Sequence, residues 1–194
     1  MAGRRWAVAG VSLEVTQRCN LDCTLCYLSE TAEAIRDLPL EEILRRINQI
    51  HAHYGAHTDI PVSGGEPTLR PRDDLLAIVR HIQALGMRSS LFTNGIRASH
   101  ELLKDLAAAG MTDVAFHVDT TQQREGYRTE SDLHALRREY IARAPGTGLN
   151  VLFNTTLHSG NWDDLLAPES YSIRFTPHDL TVANSKRPRM TTAI

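Results

Sequence analysis

The sequence has few cysteines, and all of them lie close together near its beginning. Of 194 residues only three are cysteine, and none follows Cys26. An odd number of cysteines argues against a framework of disulfide bonds. The apolar stretch that follows Arg4 and Arg5 is too short for the core of a secretory signal peptide. We therefore expect a cytoplasmic protein with reduced thiols.

The sequence also lacks a strong net charge and long apolar runs. Its formal net charge of −2 at pH 7 gives no global electrostatic reason to bind nucleic acid or an anionic membrane. No apolar run approaches the roughly twenty residues that cross a bilayer, so we expect no membrane span. Hydrophobic residues make up 42% of the chain and charged residues 23%. This composition is typical of an ordinary globular protein with a sizeable core.

The cysteines that are present have the spacing of a metal site. Cys19, Cys23 and Cys26 stand in one short segment after a predicted strand. A loop of this length folds back on itself and can aim its thiolates at a common centre. Structural zinc sites and ordinary ferredoxin clusters use four protein ligands. Three cysteines without a fourth therefore indicate a site with one open position, where chemistry can occur.

A zinc site completed by histidine is an alternative interpretation. The chain has nine histidines, and His51, His53 and His57 form the cluster nearest to the cysteines. They are predicted at the C-terminal end of a helix, where the helix dipole favours histidine and where the side chain usually faces water. This alternative predicts a colourless protein that holds zinc and no iron.

A second motif follows a short apolar segment and reads Ser-Gly-Gly-Glu-Pro-Thr over residues 63–68. The paired glycines, Gly64 and Gly65, let the backbone turn sharply and approach a ligand closely. The carboxylate of Glu66 can accept hydrogen bonds from an ammonium group. Pro67 stiffens the exit from the turn. Both motifs, in this order and each after a predicted strand, form a specific pair.

Together the two motifs resemble those of the radical S-adenosylmethionine (SAM) superfamily. In that family the cysteines are spaced three and then two residues apart, with an aromatic or bulky apolar residue before the last one, and Leu25 takes that place here. The resemblance implies that Cys19, Cys23 and Cys26 hold a [4Fe-4S] cluster whose fourth iron is chelated by SAM. In such proteins the cofactors carry the difficult chemistry, and the chain positions them.

The resemblance also assigns residues to a SAM site, which includes Leu25 and the motif residues Gly64, Gly65 and Glu66. His117 stands two residues before an aspartate, where family members commonly have a serine that touches SAM. Two roles are open for His117: contact with SAM, or packing as a neutral histidine at the C-terminal end of the strands. Asn94 belongs to a Thr-Asn-Gly pattern that is frequent in the family, although Asn-Gly is also a typical tight turn. Further SAM contacts are expected at residues 154–156 and substrate contacts in the polar loop 120–127, but no catalytic residue is identified.

The function that the resemblance implies is radical chemistry on an unidentified substrate. The reduced cluster would cleave SAM to methionine and a 5′-deoxyadenosyl radical, which abstracts a hydrogen atom. A low-potential electron donor of the flavodoxin or ferredoxin type is implied as a partner. The alternative is a truncated or partner-dependent iron-sulfur protein with no catalysis of its own. Because no cysteine follows Cys26, any auxiliary cluster would belong to a partner.

The order of predicted elements indicates an α/β fold with a parallel sheet, because strand-like and helix-like segments alternate along the chain. This order resembles the partial (β/α)6 barrel of radical SAM enzymes, with the distinctive residues at the C-terminal ends of the strands. The sixth unit is weak, with a helix stub near 162–166 and a strand at 172–175. We therefore predict a core over 1–176 and an irregular tail over 177–194. The predicted strands are 11–15, 60–63, 89–92, 114–118 and 149–154, separated by helices that begin near Pro39, Arg72, Ser99 and Ser131.

Overall fold

The computed structural model describes residues 9–28 and 31–156. Its centre is a parallel sheet of five strands in the order β1-β2-β3-β4-β5, which is also their order along the chain. An α-helix connects each strand to the next one along the chain. The strands are β1 (Leu13–Thr16), β2 (Asp59–Gly64), β3 (Arg88–Thr93), β4 (Asp113–His117) and β5 (Asn150–Asn154), and the helices are α1 (Leu40–Tyr54), α2 (Arg72–Ala84), α3 (His100–Ala108) and α4 (Glu130–Ile141).

The predicted α/β class and the repeated βα order are confirmed, and the predicted strands agree with the observed ones to within two residues. The start of α4 was predicted near Ser131. It lies slightly earlier, because Thr129 is the N-cap residue and forms a capping box with Asp132. The predicted helix stub at 162–166, the strand at 172–175 and the tail over 177–194 lie outside the described residues.

Pro61 lies inside β2, as its third residue, and pairs with Ser90 of β3, although proline is unfavourable in a central strand. The backbone of Asp59 faces β1, because its N–H donates to the carbonyl oxygen of Ala9 and its carbonyl oxygen accepts from the N–H of Val11. The backbone of Pro61, two residues later, faces the same side, where proline has no N–H to donate. Regular pairing of β1 begins only at Leu13, just beyond this missing donor, so the proline is tolerated inside the sheet.

The core lies between the sheet and the helices that cover it. In α2 the apolar residues at helical spacing form one buried face, in which Leu75, Val79 and Ile82 are all at most 1% exposed. The segments that follow α2 and α3 have similar sequences, Ala-Leu-Gly-Met at 84–87 and Ala-Ala-Gly-Met at 108–111. Both end their helix in the same way, because Gly86 and Gly110 have positive φ angles of 73° and 107°. Glycine adopts this conformation without steric cost and lets the chain turn back into the next strand.

Two distinct ends of the sheet follow from the parallel order. The cysteine loop, the glycine motif, the Thr-Asn-Gly turn and the His117 segment come after β1, β2, β3 and β4 respectively, so all of them gather at the C-terminal edge. His51, His53 and His57 lie at the end of α1 and just before β2, which places them at the opposite edge. No helix within the described ranges is long and apolar enough to cross a membrane.

Candidate functional site

The cysteine loop begins directly after β1 and is held by its neighbours rather than by secondary structure of its own. The amide of Thr24 donates to the carbonyl oxygen of Thr121 at 2.9 Å, and its hydroxyl donates to the same oxygen at 3.2 Å. From the other side, the side-chain nitrogen Nδ2 of Asn94 donates to the side-chain oxygen of Asn20 at 2.7 Å. The loop is thereby fixed to the ends of β3 and β4, while Cys26 remains exposed.

The glycine motif packs against the backbone at the start of the same loop. Gly65 donates its amide hydrogen to the carbonyl oxygen of Thr16 at 2.9 Å, and Glu66 donates to that of Arg18 at 2.7 Å. A Cβ atom on Gly65 would lie 2.2 Å from the Arg18 oxygen, and one on Gly64 would lie 2.1 Å from the Thr16 oxygen. Both distances are far shorter than van der Waals contact, so only glycine permits this approach.

The sequence suggests that Glu66 presents its carboxylate to a ligand. In the structure this carboxylate does not face an open site. The residue is fully buried. Its Oε1 accepts hydrogen bonds from the amide and hydroxyl of Thr68 and from the hydroxyl of Thr93, at 3.0, 2.5 and 2.7 Å. Its Oε2 accepts one from the amide of Asn94 at 2.7 Å. The carboxylate therefore ties the end of β2 to the end of β3.

Asn94 is similarly committed to internal contacts. Besides its bonds to Glu66 and Asn20, its side-chain oxygen accepts from the amide of Ile96 at 3.0 Å, and its carbonyl accepts from Arg124 at 2.5 Å. The residue thus forms the predicted tight turn and also anchors the cysteine loop. The two interpretations of the Thr-Asn-Gly pattern, a turn and a role in the site, do not exclude each other.

His117 is paired with the aspartate that follows it. Its Nε2 lies 2.7 Å from Oδ2 of Asp119 and 3.2 Å from the hydroxyl of Thr156. Burial alone would raise the pKa of Asp119, but hydrogen bonds from His117, Thr121 and the amide of Thr156 outweigh it and hold the pKa well below its usual range. Asp119 is therefore ionised and fixes the orientation of the His117 ring.

One cavity of about 180 Å³ brings these predicted residues together at the C-terminal edge of the sheet. A larger cavity, of about 1030 Å³, lies along the cysteine loop and includes all three cysteines and Gln123. Glu66, which is buried behind the motif, and residues 154–156 do not line the smaller cavity, and of the loop 120–127 only Gln122 does. The other predicted residues that line it are Cys19, Cys23, Leu25, Cys26, Gly64, Gly65, Asn94 and His117.

The thiols of Cys19 and Cys23 have elevated pKa values. Burial, followed by the neighbouring Cys19 and Cys26, raises the pKa of Cys23 to about 12, and burial raises that of Cys19 as well. Three adjacent thiolates would repel one another, so a metal must supply the positive charge that lets them ionise. A donor set of three thiols on one cavity fits a soft iron-sulfur centre.

The histidine-completed zinc site is not formed by the described residues. His51, His53 and His57 stand at the opposite edge of the sheet from the cysteine loop, and Nδ1 of His53 contacts the carbonyl oxygen of Gln49 on its own helix. Among the described residues, no group of three or more histidine, cysteine or acidic side chains is arranged to hold a single metal ion.

Comparison with known proteins identifies the family. The sequence model of the radical SAM superfamily matches residues 13–165, which include both motifs. The chain belongs to the radical SAM superfamily. Radical SAM proteins use a [4Fe-4S] cluster and SAM, and these are the cofactors of this chain.

Curated relatives and solved structures agree with this assignment. The chain is 30% identical over 178 residues to a PqqA peptide cyclase of Xanthomonas euvesicatoria, covering 91% of this chain and 47% of that protein. It is 31% identical over 167 residues to one of Streptomyces rochei, covering 81% and 43%. The chain thus spans about half the length of the curated relatives it matches.

The fold is shared with radical SAM structures of low sequence identity. The structure of anSMEcpe with AdoMet and a Cp18Cys peptide matches with a TM-score of 0.61 at 15% identity, covering 80% of this chain and 45% of that one. Streptococcus suis SuiB bound to the precursor peptide SuiA matches with a TM-score of 0.57 at 17% identity, covering 79% and 34%. These likenesses confirm the predicted radical SAM fold.

Several residues that organise this radical SAM site were not predicted from sequence. Tyr27 donates its hydroxyl to the carbonyl oxygen of Gly64 at 3.2 Å, joining the two motifs directly. Asn20, Thr24 and Arg124 hold the cysteine loop or its anchors. Tyr27 and Asn20 stand next to cysteines, which is a weak signal in a single sequence. Arg124 carries no local signal, because a polar loop is usually solvated.

Proposed function

We propose that this chain is the catalytic core of a radical SAM enzyme that acts on a peptide. The observation that carries the proposal is the single cavity shared by the three cysteines, the glycine pair, Asn94 and His117. Cys19, Cys23 and Cys26 would ligate three irons of the cluster. One iron would remain free for SAM, and the glycine pair that lines the same cavity would hold SAM there.

The proposed SAM site uses the backbone of the glycine motif. Gly64 lines the cavity, and the second lone pair of its carbonyl oxygen can take an ammonium hydrogen bond in addition to that of Tyr27. Glu66 supports this site from behind and does not bind SAM itself. Leu25, which is 53% exposed, would supply an apolar wall, and His117, oriented by Asp119, would supply a polar contact at the β4 end.

When the bound cluster is reduced, it supplies the electron that cleaves SAM into methionine and a 5′-deoxyadenosyl radical. A separate low-potential donor of the flavodoxin or ferredoxin type would deliver that electron. The peptide substrate is inferred from the PqqA peptide cyclases among the curated relatives and from SuiB with its precursor peptide. Reduced cysteines of this kind suit a cytoplasmic protein. We assign the radical SAM core to residues 1–176 and propose that 177–194 form an irregular tail.

A second candidate is a radical SAM core that binds its cofactors but needs a partner for catalysis. Its support is the openness of the site, where Cys26 is exposed and Leu25 is 53% exposed. In this case another chain would close the cavity against water and protect the radical.

We expect anaerobically reconstituted, reduced protein to convert SAM into 5′-deoxyadenosine and methionine in equal amounts, because cleavage releases both from one molecule. Liquid chromatography with mass spectrometry measures both products, and protein without iron is the control. A fully loaded cluster that gives no 5′-deoxyadenosine with dithionite or with flavodoxin would contradict catalysis by this chain alone. Cleavage that begins only when a co-purifying chain is added would establish the partner-dependent candidate.

A further inference from the structure

Arg124 is a buried arginine at the centre of the loop that follows β4. Only 8% of its surface is exposed. Its Nε donates to the side-chain oxygen of Gln122 at 2.9 Å, and its Nη1 donates to the hydroxyl of Tyr140 at 3.0 Å. Its Nη2 donates to the carbonyl oxygens of Asn94 at 2.5 Å and of His117 at 3.2 Å. The side chain thereby joins the ends of β3 and β4 to α4.

The charge of Arg124 has no carboxylate partner within the described part of the chain. The other two buried arginines of this region are paired, Arg70 with Asp74 at 3.1 Å and Arg137 with Glu130 at 2.5 Å. All four acceptors of Arg124 are neutral groups. Burying a cation without a counter-charge is strongly unfavourable. An anionic group nearby would offset that cost.

Three residues that accept hydrogen bonds from Arg124, namely Asn94, His117 and Gln122, line the cavity that also contains the cysteines, so an anionic group formed there would lie behind the same wall. Asp119, an ionised group of the loop after β4, is already paired with His117. The guanidinium of Arg124 bonds to Asn94, whose side chain bonds to Asn20 inside the cysteine loop. Thiolates bound to a [4Fe-4S] cluster carry net negative charge, and reduction adds another electron to it.

The backbone around Arg124 is held in an unusual conformation. Gln123 has a φ of 47°, a left-handed conformation that residues other than glycine rarely adopt. Gln122 and Arg124 on either side are both buried and hydrogen-bonded, and this arrangement imposes the turn between them. Such strain persists only where surrounding contacts over-determine the backbone, so the position of Arg124 is tightly specified.

We propose that Arg124 is a positioning residue that supplies the counter-charge of the cluster and holds the cysteine loop through Asn94. A fixed positive charge beside the cluster favours the reduced state, so its removal shifts the reduction potential to more negative values. This inference rests on the proposed function, because it requires the cluster to be bound at Cys19, Cys23 and Cys26.

The test compares the midpoint potential and the iron content of anaerobically reconstituted variants. Arg124→Gln removes the charge and keeps a polar group. We expect the equilibrium constant for cluster reduction to fall on the order of tenfold, which corresponds to about 59 mV for one electron. Redox titration followed by electron paramagnetic resonance (EPR) measures this potential. A loss of packing alone would lower protein stability without moving the potential in this direction.

Arg143→Gln is the matched control. Arg143 lies over the same Tyr140 ring, at 4.4 Å from its centre, and links α4 to the loop after β3 through the carbonyl oxygen of Gly95 at 2.6 Å. Its charge is already paired with Glu139. Its loss removes a similar link between the same elements, and we expect the reduction potential of this variant to match that of the original protein.

If Arg124→Gln does not fold, Arg124→Lys decides the question. Lysine keeps the charge, so we expect the equilibrium constant for cluster reduction to stay within about twofold of its original value. Because lysine cannot reach all four acceptors, we also expect weaker retention of iron. An unchanged potential in Arg124→Gln, or a large negative shift in Arg124→Lys, would overturn the inference while leaving SAM cleavage intact. Failure of the original protein to load any cluster would instead contradict the proposed function.

Discussion

Replacing any one of Cys19, Cys23 or Cys26 with alanine is expected to remove the cluster from the protein. The three thiols line one cavity, and no other cysteine exists in the chain to take the place of a lost ligand. With two thiolates the cluster would have two unprotected irons and would dissociate on reconstitution. We expect iron to fall from about four atoms per chain to near zero, together with the loss of the brown colour.

The matched control for this experiment is the triple replacement of His51, His53 and His57 with alanine. These side chains lie at the opposite edge of the sheet, so the variant should load iron to the original level. The result separates the cluster from the zinc alternative. Retention of a full cluster in all three cysteine variants would refute the assignment of the ligands, as would loss of metal in the histidine variant.

Gly65→Ala is expected to have the second largest effect, because the added methyl group has no room. Its Cβ would lie 2.2 Å from the carbonyl oxygen of Arg18, 2.6 Å from the carbonyl carbon of the same residue and 2.7 Å from the oxygen of Gln17. All three atoms belong to the backbone at the start of the cysteine loop, so no side chain can rotate away. The loop or the motif must move, at a cost of about 3 kcal/mol of stability.

The consequence should reach both folding and SAM binding. We expect a lower midpoint in chemical denaturation and, in protein that still carries a cluster, affinity for SAM reduced by at least about tenfold. Titration of reconstituted protein with SAM measures this affinity.

Gly10→Ala provides the comparison for Gly65→Ala. Gly10 precedes β1 and bridges to Asp59 of β2, has no left-handed backbone conformation, and would place its Cβ at an ordinary 3.4 Å from the nearest atom. The stability and SAM affinity of the Gly10→Ala variant should therefore remain close to those of the original protein. Equal behaviour of the two alanine variants would show that the close approach of Gly65 to Arg18 has no role in the site.

Much of this fold could be predicted because each βα unit carries its own local signals. The apolar stripe of α2, the glycines after α2 and α3, and Ser99 at the start of α3 each act within a few residues. The parallel order then places the strand ends at one edge. For that reason the cysteine loop, the glycine pair, Asn94 and His117 could be grouped from sequence before any contact between them was known.

The roles of individual side chains could not be predicted in the same way, because they depend on contacts between distant segments. Glu66 carries a charge beside two glycines, which suggests a ligand, yet its carboxylate is occupied by Thr68, Thr93 and Asn94. Arg124 stands in a polar loop but is drawn inward by acceptors on three other elements. In both cases the partners are separated along the chain, and no local pattern encodes them.

The most direct test of this site is the EPR spectrum of the reduced, reconstituted protein with and without SAM. We propose that the three cysteines leave one iron open and that SAM occupies that position from the side of Gly64 and Gly65. We expect the g-values of the reduced cluster to shift on addition of SAM, because the ligand of the fourth iron changes. A reduced [4Fe-4S] spectrum that is identical with and without saturating SAM would contradict the claim.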